Sequence, residues 1–243
     1  MWQEKTVSVV LMTYAEKDSI RQVITDFYDT GYVDEILVIN NNAQAGTSEE
    51  VARTPAREIF ETNQGYGHAI RRGLREASGD LIVLAEPDGT FMARDIVKLL
   101  AYSDEVDVVL GTRTTTELIW EGANMGAFLK WGNWAVAKMV EVLFNTSHLS
   151  DIGCTYRLMN RSTAERFARE MTIGGSHAGP EMLMLTLRNG LRFVEVPVNY
   201  LPRVGTSSVT GSYVKAFFLG LQMIRYILRV RFGRAQSSPG SIT

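Results

Sequence analysis

The first 112 residues alternate short apolar runs with segments whose apolar residues recur at helical spacing. Short, continuous apolar runs of this kind are typical of strands covered on both faces. The runs occupy residues 7–14, 34–40, 57–62, 80–86 and 107–113. The segments between them predict helices over residues 19–32, 48–55, 67–79 and around 94–100. Because strands joined by helices pair in parallel, the sequence predicts an α/β fold with a mostly parallel sheet flanked by helices.

Polar side chains follow each of the first four predicted strands. The four sets are Thr13, Tyr14 and Glu16; Asn40, Asn41 and Asn42; Asn63, Gln64 and Gly65; and Glu86 and Asp88. Turn chemistry by itself favours Asn, Asp and Gly in any single loop. All four sets together favour a ligand site, because ligands of such sheets bind at the edge where the carboxyl ends of the strands meet.

The stretch LIVLAEPDGTF, residues 81–91, places two carboxylates, Glu86 and Asp88, directly after a buried strand. Neighbouring carboxylates without a partner repel each other, and one of them takes up a proton. A Mg²⁺ or Mn²⁺ ion removes that repulsion, and such ions are commonly held by one or two carboxylates together with substrate phosphates. The stretch therefore predicts a metal and diphosphate site. The alternative is that Asp88 caps the helix that follows.

The C-terminal part of the chain is both cationic and apolar. Six cations and no acidic residue follow Glu195, although the whole chain has a net charge of -2. Residues 212–232 contain charged residues and no apolar run long enough to predict a membrane span. On a helical wheel one side is polar and carries Lys215, Gln222, Arg225 and Arg229. The apolar residues Phe217, Leu221, Ile224 and Leu228 lie away from the centre of that polar side. This pattern predicts a helix lying in the plane of an anionic membrane surface. The alternative is a helix packed on the domain whose arginines reach solvent.

The second half of the chain differs in character from the first. A helical stretch predicted over residues 117–144 contains Trp120, Trp131 and Trp134, and such rings favour the headgroup zone of a membrane. A last strand is predicted within residues 191–208, with prolines near its end. The single cysteine, Cys154, excludes an internal disulfide, and the sequence has no signal-peptide pattern. We therefore expect a reducing, cytoplasmic setting.

Several segments of the sequence together resemble a known family. They are VVLMTYAE, VINNNAQAGT, NQGYGHAIRRGLREASGDLIVLAEPDGTF, VVLGTR, SDIGCTYRLMNR and VEVPVNYLPRVGTSS. These segments resemble the motifs of family 2 glycosyltransferases of the GT-A fold and follow one another in the same order as in that family. Together they cover roughly residues 6–208. Within that family the sequence is similar to the polyprenyl-phosphate (dolichyl-phosphate) mannose and glucose synthases. The resemblance is specific for the family and much less so for the sugar or the nucleotide.

The resemblance implies roles for individual residues of the donor side. The nucleotide-sugar set is Thr13, Tyr14, Glu16, Asn40, Asn41, Gly65, His68 and Glu86. Glu86 and Asp88 occupy the acidic motif that holds the metal, Mg²⁺ or Mn²⁺. Two departures stand out, because the family usually has an Asp pair at Asn40 and Asn41 and an Asp at Glu86. Asp88 is therefore the firmer metal ligand.

The resemblance also implies the residues of the acceptor side and of the reaction. Asp88, Arg113 and Arg203 form the catalytic set, and Lys130, Asn133 and Glu181 form the acceptor-binding set. A phosphate acceptor is already an anion near neutral pH, so the reaction needs no strong general base. The protein's task is to neutralise the leaving diphosphate and to orient two anions, which metal and arginines can do.

The implied organisation is a GT-A catalytic domain over residues 1–208, with a nucleotide-sugar half to residue 112 and an acceptor half from 113. An amphipathic membrane-interface helix follows over 209–234, and a flexible tail over 235–243. The implied reaction is inverting transfer of a sugar from a nucleotide-diphosphate sugar to a polyprenyl phosphate, peripherally at the cytoplasmic membrane face. A separate membrane-anchor protein is a possible partner, and we expect no nucleic acid.

Two alternatives stay open. The first is a GT-A glycosyltransferase with a soluble or protein acceptor. The second is a membrane-associated binding protein of the same fold that has lost catalysis, which the asparagines at 40 and 41 would suit. A nucleotidyltransferase is disfavoured, because LMTYAEKDS, after the first strand, lacks the glycines of a phosphate loop.

Overall fold

The computed structural model describes residues 1–123, 126–205 and 213–233, without the side chains of residues 127–128 and 213–216. The predicted tail 235–243, the side chain of Lys215 and the end of the predicted 191–208 segment lie outside what the structure describes.

The described residues form one seven-stranded sheet in the order β3-β2-β1-β4-β6-β5-β7. The strands are β1 Val7–Thr13, β2 Glu35–Asn40, β3 Arg57–Phe60, β4 Leu81–Ala85, β5 Val108–Thr112, β6 Arg157–Asn160 and β7 Phe193–Pro197. Strands β1 to β4 pair in parallel, and β7 pairs in parallel with β5. Strand β6 runs antiparallel between β4 and β5. The predicted mostly parallel sheet is confirmed, and strands from both predicted halves belong to it.

The helices cover both faces of the sheet. They are α1 Lys17–Asp29, α2 Thr47–Val51, α3 Tyr66–Glu76, α4 Ile96–Leu100, α5 Ala127–Phe144, α6 Arg161–Glu170, α7 Ala178–Arg188 and α8 Tyr213–Phe232. One apolar core lies between the sheet and α1, α2 and α4. The other lies between the sheet and α3, α5, α6, α7 and α8. Burial on both faces explains why β1, β2 and β4 read as continuous apolar runs.

The strand register brings the predicted site loops to one edge. Thr13 at the end of β1 pairs with Asn40 at the end of β2, and Asn40 pairs with Phe60 of β3. Strand β4 pairs with β1 up to Ala85, so Glu86 emerges beside the loop that follows Thr13. The four polar sets therefore lie along the carboxyl edge of these strands.

Helix α5 begins ten residues later than the sequence predicts. A short 3-10 turn spans Thr116–Leu118, and the chain then turns at Gly122, whose φ is 82°. A backbone in this left-handed region cannot continue a helix. The predicted start at residue 117 is therefore wrong, while the predicted end at Phe144 is confirmed.

Helix α8 matches the predicted segment and packs against α5 and α7. Met223 and Ile227 are buried, whereas Phe217, Leu221 and Leu228 are exposed. The exposed apolar residues lie beside Gln222, Arg225 and Arg229, which are also exposed. The helix thus has both a face packed on the domain and an apolar face toward solvent. None of the described helices is long and apolar enough to cross a membrane.

Candidate active site

Three carboxylates meet at the carboxyl edge of β1 and β4. Asp88 is fully buried, and its Oδ1 accepts hydrogen bonds from the backbone N and Oγ1 of Thr90 at 2.9 and 2.6 Å. Glu16 accepts bonds from the backbone N of Tyr14 and Ala15 at 2.7 and 2.8 Å. Glu86, in the same loop as Asp88, completes the cluster, so two loops bring the three carboxylates to this edge of the sheet.

Arg203 lies among the three carboxylates. Its Nη2 is 2.5 Å from Asp88 Oδ2 and 3.0 Å from Glu86 Oε2, and its Nη1 is 3.6 Å from Glu16 Oε1. Arg203 and the acidic motif of Glu86 and Asp88 are far apart in sequence but thus share one site. A guanidinium with donors on a rigid fork is well suited to bind carboxylates or phosphates.

The environment of the acidic motif shifts the protonation of Glu86. Burial and the nearby charge of Asp88 raise the pKa of Glu86 to about 7, although the cations Arg203 and Arg113 act in the opposite direction. Such a shift is what two close carboxylates produce when no metal neutralises them.

The residues present fit a divalent cation. Asp88 Oδ2 is buried, and the cation that it meets is the Arg203 guanidinium, so it is an oxygen that a metal ion could also use. Among the described residues, no group of three His, Cys, Asp or Glu side chains could hold a metal by itself. An ion at Asp88 would therefore complete its coordination with diphosphate oxygens and water, as Mg²⁺ commonly does.

Asn40 and Asn41 are both buried and use their amide groups as donors. The Nδ2 of Asn41 donates to the carbonyls of Glu61 and Asn63 at 2.9 and 2.8 Å, and its Oδ1 accepts from Gly65 N at 2.7 Å. The Nδ2 of Asn40 donates to Glu58 Oε1 at 2.8 Å. A carboxylate cannot donate these bonds. The departure from the family's Asp pair is therefore matched by local acceptors, which lie in β3 for Asn40 and in the loop after β3 for Asn41.

The start of α3 is covered by a loop from the second half of the chain. The backbone N of Gly67 donates to the carbonyl of Gly174 at 2.9 Å, and the N of His68 donates to the same oxygen at 3.3 Å. Gly65 has φ 142°, and a Cβ on it would lie 2.3 Å from that oxygen. Only glycine fits there. Gly67 and His68 thus hold the loop around Gly174, and Gly65 leaves room for it. A Cβ on Gly174 would lie 2.1 Å from His68 Nε2.

Arg113 stands just past the end of β5 and is anchored by Asp151. Its Nε and Nη2 donate to the two carboxylate oxygens of Asp151 at 2.8 and 3.0 Å. The Arg113 guanidinium also lies over the Tyr200 ring, with Cζ 5.2 Å from the ring centroid. Although burial opposes charge on both partners, each charge stabilises the other, so the pKa of Asp151 is lowered and that of Arg113 is raised.

Asn133 and Arg113 come together at Gly153. A Cβ on Gly153 would lie 3.0 Å from Asn133 Oδ1 and 3.2 Å from Arg113 Nη2. Lys130 points elsewhere and donates to Thr116 Oγ1 at 2.7 Å. The predicted acceptor residues on α5 therefore have separate surroundings.

Lys130 lines a cavity of about 580 Å³ beside the end of β5. Its lining includes two aromatic side chains and three hydroxyls that could contact a ligand, namely those of Trp131, Trp134, Thr112, Thr114 and Ser150. The two tryptophans contact each other edge to face at 5.6 Å, and both are exposed. The three hydroxyls are hydrogen-bonded to one another at 2.7 to 2.9 Å. The cavity thus combines two indole rings and several hydroxyls with the cation of Lys130 and the carboxylate of Glu195.

Glu181 supports the loop that covers α3. Its Oε1 accepts from the backbone N and Oγ1 of Thr172, both at 2.8 Å, and its Oε2 accepts from Ile173 N at 3.0 Å. The residue is buried. In this structure both oxygens of Glu181 are therefore used to position residues 172 and 173 and, through them, Gly174.

Two residues to which the sequence assigns no role prove important to the site. Asp151 anchors Arg113, and Arg157 is buried and donates to the carbonyls of Ile152, Cys154 and Gly179. Arg157 thereby ties the loop carrying Asp151 to helix α7. The only signal in the sequence is that charged residues interrupt the segment SDIGCTYRLMNR.

Burial also raises the pKa of Cys154 to about 12, so this thiol is no nucleophile near neutral pH.

Comparison with known proteins gives one family match and several similar proteins. Residues 8–167 match the family Glycosyl transferase family 2. The low-salt glycan biosynthesis hexosyltransferase Agl6 of Haloferax volcanii is 27% identical over 241 residues, covering 97% of this chain and 56% of that protein. This chain thus spans little more than half the length of that relative. The undecaprenyl-phosphate mannosyltransferase of Micrococcus luteus is 25% identical over 219 residues, covering 86% of this chain and 89% of that protein.

A solved structure with the same architecture is glucosyl-3-phosphoglycerate synthase from Mycobacterium tuberculosis, determined with Mn²⁺, uridine diphosphate and phosphoglyceric acid. It superposes with a TM-score of 0.73 at 18% identity, covering 98% of this chain and 81% of that one. At this identity the likeness shows the fold alone, which is GT-A.

Proposed function

This chain belongs to glycosyl transferase family 2, and we propose that it transfers a sugar from a nucleotide-diphosphate sugar to a polyprenyl phosphate at a membrane surface. The observation that carries the proposal is the pairing of two charged centres at one edge of the sheet. One is the carboxylate cluster of Glu16, Glu86 and Asp88 with Arg203, and the other is Arg113 held by Asp151. A diphosphate donor and a phosphate acceptor need two such centres.

The donor would lie along the loops that follow β1, β2 and β3. The predicted contacts on this side are Thr13, Tyr14, Glu16, Asn40, Asn41, Gly65, His68 and Glu86. Tyr14 is half-exposed and its ring is available to a ligand, whereas Asn40 and Asn41 are buried. Asn41 would therefore act by shaping the loop, and Tyr14 and Glu16 would meet the nucleotide directly.

Asp88, assisted by Glu86, would hold Mg²⁺ or Mn²⁺ against the diphosphate. The fold relative from Mycobacterium tuberculosis was determined with Mn²⁺ and uridine diphosphate, which supports the use of a divalent ion. When bound, the ion would supply Lewis-acid stabilisation of the leaving diphosphate. Arg203 would add two charge-assisted hydrogen bonds to the same leaving group.

The acceptor phosphate would be oriented by Arg113 and Asn133. A phosphate oxygen would attack the anomeric carbon, the bond from that carbon to the diphosphate would break, and the nucleoside diphosphate would leave with inversion. The phosphate is already an anion and donates its own electron pair, so no side chain has to remove a proton. Glu181 would act on this side through the loop that it positions, and Lys130 would bind the lipid from the cavity beside it.

The exposed apolar residues of α5 and α8 would rest on the membrane at the cytoplasmic face. Trp131 and Trp134 are 64% and 42% exposed, and Phe217 and Leu221 of α8 are 54% and 46% exposed. Arginines flank the apolar face of α8, which suits anionic lipid headgroups. The name of the Micrococcus luteus relative, an undecaprenyl-phosphate mannosyltransferase, supports a lipid-phosphate acceptor. A separate membrane-anchor protein would bind this same side.

A sedimentation assay tests the membrane part of the proposal. Vesicles with and without anionic lipid are mixed with the protein and pelleted. We expect binding to anionic vesicles that weakens with salt, and loss of binding in the double variant Phe217→Ser/Leu221→Ser. Equal sedimentation of that variant would contradict a role for α8. Val97→Ser, an exposed apolar residue on the opposite side of the sheet, is the matched control.

A further inference from the structure

We propose that Arg203 fills the metal position in the donor-free protein, so that the divalent ion enters only together with a nucleoside diphosphate. This inference rests on the proposed function and specifies its donor ligand, which is the metal–nucleotide complex. The free ion and the free nucleotide would each be poor ligands.

The contact between Arg203 and Asp88 is the first step. Arg203 Nη2 lies 2.5 Å from Asp88 Oδ2, the buried carboxylate oxygen that makes no hydrogen bond of proper geometry. The other oxygen of Asp88 is taken by Thr90. The oxygen that a metal would use is therefore the one against which the guanidinium rests.

The charges around Arg203 explain why the guanidinium lies there. Glu16, Glu86 and Asp88 surround one guanidinium, and buried carboxylates without a cation are costly. Arg203 thus performs in the donor-free protein the neutralisation that a divalent ion performs in the loaded one. A metal ion would compete with it, because Mg²⁺ binds oxygen at about 2.0–2.1 Å and two cations at one oxygen would repel each other.

The backbone keeps Arg203 within reach of both positions. The N of Val204 donates to the carbonyl of Asp88 at 2.9 Å, and the N of Leu201 donates to the carbonyl of Thr90 at 2.8 Å. These bonds fix the segment on either side of Arg203 while its long side chain can rotate. A diphosphate offers the guanidinium a new bidentate partner, so rotation from Asp88 onto the phosphates would free the metal position.

Binding of Mn²⁺ followed by electron paramagnetic resonance tests the proposal without any sugar transfer. In the absence of nucleotide, wild-type protein should bind Mn²⁺ weakly. Arg203→Gln should bind it about tenfold to a hundredfold more tightly, the range expected when a charge-assisted contact at the ligand oxygen is removed. Arg169→Gln, an exposed arginine on α6, makes the same charge change and should match wild type.

Nucleotide provides the second arm of the experiment. Adding uridine or guanosine diphosphate should strengthen Mn²⁺ binding to the wild type, and the gain should be much smaller in Arg203→Gln. Arg203→Lys, which keeps the charge, should give an intermediate affinity and serves if the Gln variant does not fold. Asp88→Asn in the Arg203→Gln background should remove the tight Mn²⁺ binding.

Equal nucleotide-free Mn²⁺ affinity in the wild type and both Arg203 variants would overturn the proposal. That result would leave the proposed transfer reaction intact, because it concerns only the order of binding. Conversely, the protein could show the expected Mn²⁺ affinities and yet transfer no sugar to any lipid phosphate. In that case the inference about Arg203 would stand and the proposed acceptor would be wrong.

Discussion

Replacing Asp151 with Asn tests how strongly the buried ion pair with Arg113 contributes to the site. The Asp151 side chain is fully buried and accepts four bonds: from Arg113 Nε, Nη2 and backbone N, and from Gly153 N. Asparagine has the same shape. Its amide, however, has an NH₂ group in place of one carboxylate oxygen. That NH₂ group is a donor and would have to face N–H groups of Arg113 or Gly153.

The expected cost follows from what is left unpaired. Breaking one side of a buried ion pair costs about 3–5 kcal/mol, because the remaining charge stays in the interior. A domain of this size is stable by roughly 5–15 kcal/mol, so the variant should fold but with a much reduced free energy of unfolding. Because Arg113 would lose its fixed position, sugar transfer should fall by about a hundredfold.

Urea unfolding at pH 7 followed by circular dichroism measures the free energy difference. The matched control is Asp104→Asn, which breaks an exposed ion pair with Lys5 and should cost less than about 1 kcal/mol. If Asp151→Asn lost no more stability than Asp104→Asn, and transferred sugar at the wild-type rate, the proposed anchoring of Arg113 would be refuted.

Three further changes follow from the contacts of the site. Asn41→Asp should lower the free energy of unfolding by about 1–3 kcal/mol in urea, because a carboxylate would face the carbonyls of Glu61 and Asn63; an unchanged midpoint would contradict this. Gly67→Ala should destabilise the protein strongly in a thermal melt, because its Cβ would lie 2.0 Å from a backbone oxygen; a wild-type melting temperature would contradict that. In metal-free protein the native Glu86 keeps its proton up to about pH 7, so stability should fall as pH rises from about 4.5 to about 7. Glu86→Gln should remove that part of the pH dependence, and an unaltered pH profile would show that Glu86 does not titrate there.

The first half of the fold could be predicted from the sequence because all of its strands except the edge strand β3 are buried on both faces. Such strands read as uninterrupted apolar runs, and β1, β2 and β4 carry that signal. Strand β6 does not, since Arg157 and Asn160 lie within its four residues. A buried arginine whose donors are used by backbone carbonyls has no local signature in a sequence.

The site could be predicted in part for a similar reason. Polar residues after consecutive strands had to share one edge, which brings Glu16, Glu86 and Asp88 together. Which partner each side chain takes depends on contacts across the fold, so the role of Asp151 and the loop contacts of Asn41 and Glu181 were not predictable. Resemblance supplied the position of Arg203, which no spacing rule would have placed beside Asp88.

The central claim is that the acceptor is a lipid phosphate. The most direct measurement incubates the protein with Mg²⁺ or Mn²⁺, a panel of nucleotide-diphosphate sugars, and either a short polyprenyl phosphate or the matching polyprenol, and separates lipid-linked sugar by mass. We expect one donor to yield polyprenyl-phosphate sugar, no product from the polyprenol, and no product from Asp88→Asn. Transfer to a soluble or protein acceptor without any lipid-linked product, or no release of nucleoside diphosphate from any donor, would contradict the account.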